Sequence, residues 1–367
     1  MNKTVKVAIV HYWFTTWRGG EKVIDQLLDI FPDADIYTHV VDPKIQKEHL
    51  AGKTVKTTFI NKLPLSTKFY QKYLPLMFFA LEQLDLTDYD LIISSESGPA
   101  KNIITNPEST HICYCHSPMR YVWDMYYLYM AEAGFITKLL MKPLIHYLKI
   151  VDRLSADRVD HFISNSHFIR SRIQKYYRRD STVINPPVDV DAFTVAKQKK
   201  NFYLCFGQLT PYKKVSIVVD SFVNSERELI VIGEGEEFDY ISKVATPNIK
   251  VLGRQPDSIV RQHLSEAKAL IFPGVEDFGI VPVEAMASGT PVIAYGFGGV
   301  LDSVTDGETG LFFYEQTKTA IMETIKKFEA SSQNFDPKTI RARAMKFSNE
   351  NFKNNLTTLV EKLIPMD

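Results

Sequence analysis

Glu276-Asp277-Phe278-Gly279-Ile280-Val281-Pro282-Val283-Glu284 follows the apolar run 269–272 and leads into a helical pattern at 281–287. It reads as a buried strand, a loop turning through Gly279 and a helix. Glu276 sits in the loop and Glu284 on the helix, with seven residues between them. Ionised carboxylates only accept hydrogen bonds, so the pair suits a ligand rich in hydroxyls, a sugar for the first and a ribose diol for the second. Acids beside a helix start also suit its dipole with no ligand at all.

Outward from this stretch, short apolar runs recur with room for helices between them. They lie at 5–10, 91–94, 111–114, 162–164 and 182–184, then at 202–206, 229–232, 251–252, 269–272, 291–294 and 311–313. Continuous runs of this length suit parallel strands buried on both faces, and patterns such as 215–222 suit crossover helices. Pro186-Pro187 and the polar stretch 197–200 mark a boundary. The expected organisation is an N-terminal domain over 1–190, rejoined by a helix at 350–367, and a C-terminal domain over 191–349. The tail from 338 to 363 reads as two helices broken near Ser348-Asn349.

At 367 residues the chain exceeds one ordinary core. Lys+Arg and Asp+Glu are both 43, a balance that speaks against a nucleic-acid partner. Cys113, Cys115 and Cys205 fit no CxxC or zinc spacing and read as reduced structural thiols. With no apolar leader or membrane-length run apparent, the expected location is the cytoplasm.

Three further segments carry chemistry. Gly19-Gly20, ahead of a helix near Glu21, allows close backbone approach to a phosphate or sugar, or serves a plain tight turn. His116, in Cys115-His116-Ser117-Pro118-Met119-Arg120, follows an apolar strand, where open parallel sheets bind ligands. Lys213 and Lys214, in Gly207-Gln208-Leu209-Thr210-Pro211-Tyr212-Lys213-Lys214, stand at a strand-to-helix turn suited to neutralising a diphosphate. Asp189-Val190-Asp191 lies in the Pro-rich linker and is not read as a metal site.

The run from Glu276 to Glu284, continued by Ala285-Met286-Ala287-Ser288-Gly289-Thr290-Pro291, resembles the E-x7-E signature of glycosyltransferase family four. The order Gly19-Gly20, His116, Lys213, Glu276, Glu284 is similar to that family across nearly the whole chain. Gly233-Glu234-Gly235 and Gly298-Gly299 resemble its other turns. The resemblance implies the α/β GT-B fold: two Rossmann-like doubly wound domains facing a central cleft, with a C-terminal helix crossing back.

It also implies a retaining, metal-independent transferase with no cofactor beyond its nucleotide-sugar donor. Lys213 would stabilise the leaving diphosphate, Glu276 the transferred sugar and Glu284 the ribose. Gly19 and Gly20 would lie by the phosphates and His116 by the sugar. Donor contacts are expected from Gln208, Lys214, Phe278, Gly279, Ile280 and Val281, with base choice near Gly253-Arg254. Gln208 stands where the family places an arginine, so charge neutralisation leans on Lys213, with Lys214 able to assist.

The segment Cys115 to Tyr126 most resembles bacterial mannosyltransferases of polysaccharide biosynthesis. That makes GDP-mannose the first donor and a polyprenyl-diphosphate-linked glycan the acceptor. The basic, apolar segment 135–158 and the aromatic segment 70–79 suit an anionic membrane surface, or a core helix with a basic outer face. Alternatives of the same architecture are a UDP-sugar-dependent transferase, a nucleotide-sugar epimerase, a sugar phosphorylase and a non-catalytic sugar-nucleotide binding protein.

Overall fold

The computed structural model describes residues 5–132 and 134–364. The chain divides into two compact units, Met1–Asn185 with Phe352–Asp367, and Pro186–Asn351. Residues 186–190, grouped with the first domain in the sequence reading, fall in the second unit, where Val188 and Val190 join the core.

The first unit is built on seven parallel strands: β1 (Val7–His11), β2 (Asp35–Thr38), β3 (Val55–Thr57), β4 (Leu91–Glu96), β5 (Thr110–Cys115), β6 (His161–Ser164) and β7 (Thr182–Val183). Their order in the sheet is β3-β2-β1-β4-β5-β6-β7. This is a doubly wound arrangement, and the strand order reverses between β1 and β4. Side chains alternate along each strand, so both faces are covered. Ile9, Ile93 and Ile112 pack under the Gly19–Ile30 helix, while Ala8, Val10 and Ile92 face the opposite layer.

The Gly19–Ile30 helix places Val23, Ile24 and Leu27 on its core side, the spacing of an amphipathic stripe. Its start is fixed by Glu21, whose Oε2 accepts the Arg18 N–H at 2.8 Å. The final helix, Asn349–Leu363, lays Phe352 and Leu356 on the same sheet face. Phe352 meets Tyr114 edge-on at 5.8 Å. Residues 365–367 of the expected last helix lie outside the described residues.

The second unit contains β8 (Phe202–Phe206), β9 (Glu228–Ile232), β10 (Ile249–Val251), β11 (Ala269–Phe272), β12 (Val292–Tyr295) and β13 (Gly310–Phe313). All pairings are parallel, in the order β10-β9-β8-β11-β12-β13. The strand order here reverses between β8 and β11. The chain therefore folds as two Rossmann-like domains, each with a switch point of its own.

Candidate functional site

The second unit gathers the acidic and basic residues singled out in the sequence. After β8, the chain passes Gly207 and Gln208 into a short 3-10 turn, Pro211–Lys213. Lys214 then adopts a left-handed conformation (φ 57°) and the Val215–Phe222 helix begins. After β11, the Pro273-to-Gly279 loop carries Glu276 back across the same end of the sheet. The two loops meet: Lys213 Nζ lies 2.6 Å from Glu276 Oε1, with both side chains about four-fifths buried. This ion pair sits at the switch point, the position where doubly wound sheets hold ligands.

Gly279 takes φ 88°, a conformation strained for any residue with a Cβ, and turns the loop into the Ile280–Ala287 helix. Glu284 is half-buried on this helix, about one turn beyond its first residue. Ile280 and Val281 are half-buried at the helix start, whose N–H groups have no partners within the helix. Phe278 is buried and packs on Phe347 at 5.5 Å, so its ring belongs to the core. The Glu276 loop is held from behind by Gly299, whose N–H donates to Glu276 O at 2.9 Å.

Gln208 is exposed and Lys214 half-buried on the β8 loop. Gly207 donates its N–H to Ile232 O, and Gly233 donates to Gly253 O. The turns after β8, β9 and β10 are thus laced together, which carries the Gly253-Arg254 turn to the same end of the sheet. Arg254 is exposed. Asp191 lies 3.9 Å from Arg341, an ion pair within the unit.

The first unit holds the remaining predicted residues. Gly19 and Gly20 begin the helix after β1, and His116 follows β5. A Cβ at Gly20 would stand 3.2 Å from Tyr12 Oη and 3.9 Å from the His116 ring, so the glycine pair and the histidine are neighbours. His116 Nε2 bonds Ser95 Oγ at 2.8 Å. Burial, reinforced by the neighbouring His11, pushes the His116 pKa down to about 3. The ring is therefore neutral near pH 7, a hydrogen-bonding group for hydroxyls and not a cation.

The sequence reading missed what stands behind His116. His11 at the end of β1 is fully buried, with its Nε2 3.7 Å from Glu21 Oε1 and its Nδ1 3.1 Å from Ser95 O. His11 also holds the Glu21 carboxyl below its usual range, outweighing the opposing effect of burial. A His-Tyr-Trp run closing the first strand was the available signal. Lys101 was not singled out either, yet it is fully buried between Glu96 and Asp152.

The family described as "Glycosyltransferase Family 4" matches residues 17–192 and that described as "Glycosyl transferases group 1" matches 189–346. An uncharacterized glycosyltransferase of Methanocaldococcus jannaschii is 29% identical over 171 residues, 45% of this chain and 48% of that protein. The O-antigen chain mannosyltransferase RfbU of Salmonella typhimurium is 27% identical over 170 residues, 40% of this chain and 45% of that protein. The chain thus spans about half the length of these two relatives. The alpha-1,3/1,6-mannosyltransferase ALG2 of Homo sapiens is 25% identical over 337 residues, covering 80% of this chain and 78% of that protein.

Among solved structures, Anabaena HepE in complex with UDP superposes with a TM-score of 0.72 at 17% identity, covering 98% of this chain and 100% of that one. Sucrose-phosphate synthase from Thermosynechococcus elongatus gives 0.74 at 17% identity, with 98% and 99% covered. These two likenesses bear on the fold. With the two family matches running in succession from residue 17 to 346, the chain belongs to the family 4, group 1 glycosyltransferases and has their GT-B fold.

Proposed function

We propose that this protein transfers a hexose, mannose from GDP-mannose in the first instance, to a polyprenyl-diphosphate-linked glycan in bacterial surface polysaccharide assembly. The observation that carries the reading is the Lys213–Glu276 ion pair at the second unit's switch point, ahead of the helix that bears Glu284. Lys213 neutralises the departing diphosphate, Glu276 accepts from the sugar hydroxyls and Glu284 binds the ribose. In the first unit, the neutral His116 is a hydrogen-bonding group suited to saccharide hydroxyls. Mannose is favoured by the names of RfbU and ALG2. A UDP-sugar is the second reading, favoured by the UDP in the HepE complex.

The reaction proceeds with retention by front-face attack. The C1–oxygen bond to the diphosphate breaks and the acceptor oxygen bonds C1 on the same face. The acceptor's proton passes to the leaving phosphate. The protein supplies orientation and charge stabilisation, and no metal enters the step.

The acceptor's lipid fits a peripheral membrane surface. No helix among the described residues is long and apolar enough to cross a membrane. On the Phe135–Asp157 helix, however, Leu140, Tyr147, Ile150 and Leu154 are exposed at spacings of one or two turns. Lys142, His146 and Arg153 flank them, an arrangement suited to an anionic bilayer.

The test is product analysis with GDP-mannose, UDP-glucose and a lipid-diphosphate glycan acceptor, with the anomer assigned by NMR. A glycoside of the donor's own anomeric configuration is expected. An inverted product removes the front-face step. Epimerised donor without acceptor, or a strict need for free phosphate, moves the protein to another enzyme class.

A further inference from the structure

We propose that Trp13, with Tyr70 beside it, is the platform on which a saccharide ring of the acceptor stacks. The assignment rests on the transferase reading and adds to it a recognition element in the first unit. Trp13 lies two residues past the end of β1, at the first unit's switch point. Its ring meets Tyr70 at 4.6 Å with the planes at 49°, and Tyr12 edge-on at 4.5 Å. Tyr12 in turn touches the Gly20 position that borders His116. A half-exposed aromatic surface therefore continues directly from the histidine.

The three tryptophans of the chain differ in how their indole N–H is used. Trp17 donates to Asp25 Oδ2 at 3.2 Å and Trp123 to Asp152 Oδ2 at 2.8 Å. Trp13 makes no hydrogen bond among the described residues and is half-buried, so its donor remains available.

A pyranose presents an apolar C–H face and a rim of hydroxyls. An indole plane with a free N–H, next to a neutral imidazole, complements both. An alkyl chain would leave the indole N–H and His116 unused. A phosphate needs cationic partners, and the three rings bring none. Tyr70 belongs to the 59–81 segment inserted between β3 and β4, so this excursion has a purpose beyond covering the sheet.

The experiment is saturation-transfer NMR and titration with methyl α-mannoside and methyl β-N-acetylglucosaminide, with GDP and UDP as references. Wild type, Trp13→Ala, Tyr70→Ala and Trp13→Tyr are compared, with circular dichroism reporting the fold. Trp13→Ala should weaken binding of at least one glycoside about tenfold, and Trp13→Tyr should return it to within about threefold of wild type. Tyr70→Ala should reproduce the loss in part, and nucleotide binding should not change.

Unaltered glycoside binding in Trp13→Ala overturns the proposal. So does loss of nucleotide binding in its place, or a wild type that binds neither glycoside. Donor turnover is measured in parallel. Glycoside binding that follows Trp13 in a protein without turnover would refute the transferase and keep the platform; turnover with binding indifferent to Trp13 would do the reverse.

Discussion

Lys213 Nζ and Glu276 Oε1 lie 2.6 Å apart, joining the loop after β8 to the loop after β11 at the second unit's switch point. A cation held by a carboxylate is oriented before any ligand arrives. An arriving diphosphate gains that cation without having to order it, which is the form of preorganisation that lowers barriers where charge develops. Removing either partner leaves the other about four-fifths buried and unpaired.

Lys213→Ala and Glu276→Ala are each expected to lower transfer by roughly 10²–10³, the scale for losing one oriented charge-stabilising group. Circular dichroism should show the fold retained. Near-normal turnover in both variants would reject their assigned roles.

Gln208→Arg is expected to raise the transfer rate or tighten donor binding several-fold. The position is exposed on the Lys213 loop, so the larger side chain meets no core. It would add a second cation for the diphosphate. Donor KM and kcat for the variant decide this, and values equal to wild type would mean that position 208 takes no part in donor binding.

Gly299→Ala tests the support of the Glu276 loop. An added Cβ would overlap Asp277 O and Phe278 Cα, so the loop must shift. A cost of about 1–3 kcal/mol in stability is expected from such overpacking, with a larger loss in turnover. Gly98→Ala, where a Cβ meets nothing within 4 Å, is the matched control and should be nearly silent. Equal thermal midpoints for the two variants would contradict the packing described.

Acid should unfold the first unit before the second. Burial lowers the pKa of His39 to about 3 and of His111 to about 4, and both side chains are fully buried in the first unit. Their folded values lie below the ordinary 6.5, so the unfolded chain binds more protons as pH falls beneath it. Stability is complete above 6.5 and declines toward pH 4, by roughly 2–3 kcal/mol per pH unit for the two together.

In the second unit, partial burial opposes ionisation of Glu329, but bonds from Arg227, Tyr203 and Lys268 prevail and hold its pKa at about 2. Its contribution is present above the ordinary carboxylate range and is lost only as pH falls toward 2. Trp13, Trp17 and Trp123 all lie in the first unit, so indole fluorescence should change at higher pH than the circular dichroism of the whole chain. Coincident transitions would contradict this.

Membrane contact is checked by co-sedimentation with vesicles. Binding should require anionic lipid, fall as salt rises and weaken with Leu140→Ser/Ile150→Ser. Sedimentation no greater than that of a neutral control protein would exclude the surface proposed for the Phe135–Asp157 helix.

Legibility in the sequence followed locality. The loop from Glu276 to the Ile280–Ala287 helix was readable because strand, turn glycine and helix are consecutive. The two closing helices, Pro337–Met345 and Asn349–Leu363, were readable on either side of Ser348 for the same reason. β2 and β3 were not: Asp35-Ile36-Tyr37-Thr38 and Val55-Lys56-Thr57 are short, with polar positions interrupting any apolar run. The buried Lys101 was hidden because its partner Asp152 stands 51 residues away. His11 and His116 draw on the β4 residue Ser95 in the same long-range way.

The most direct test is calorimetric titration of GDP-mannose, UDP-glucose and UDP-N-acetylglucosamine into wild type and Lys213→Ala. At least one donor should bind the wild-type protein and bind the variant tenfold or more weakly, about 1.4 kcal/mol at least. Undiminished affinity in the variant, or no affinity for any of the three in wild type, would contradict a donor site built on Lys213 and Glu276.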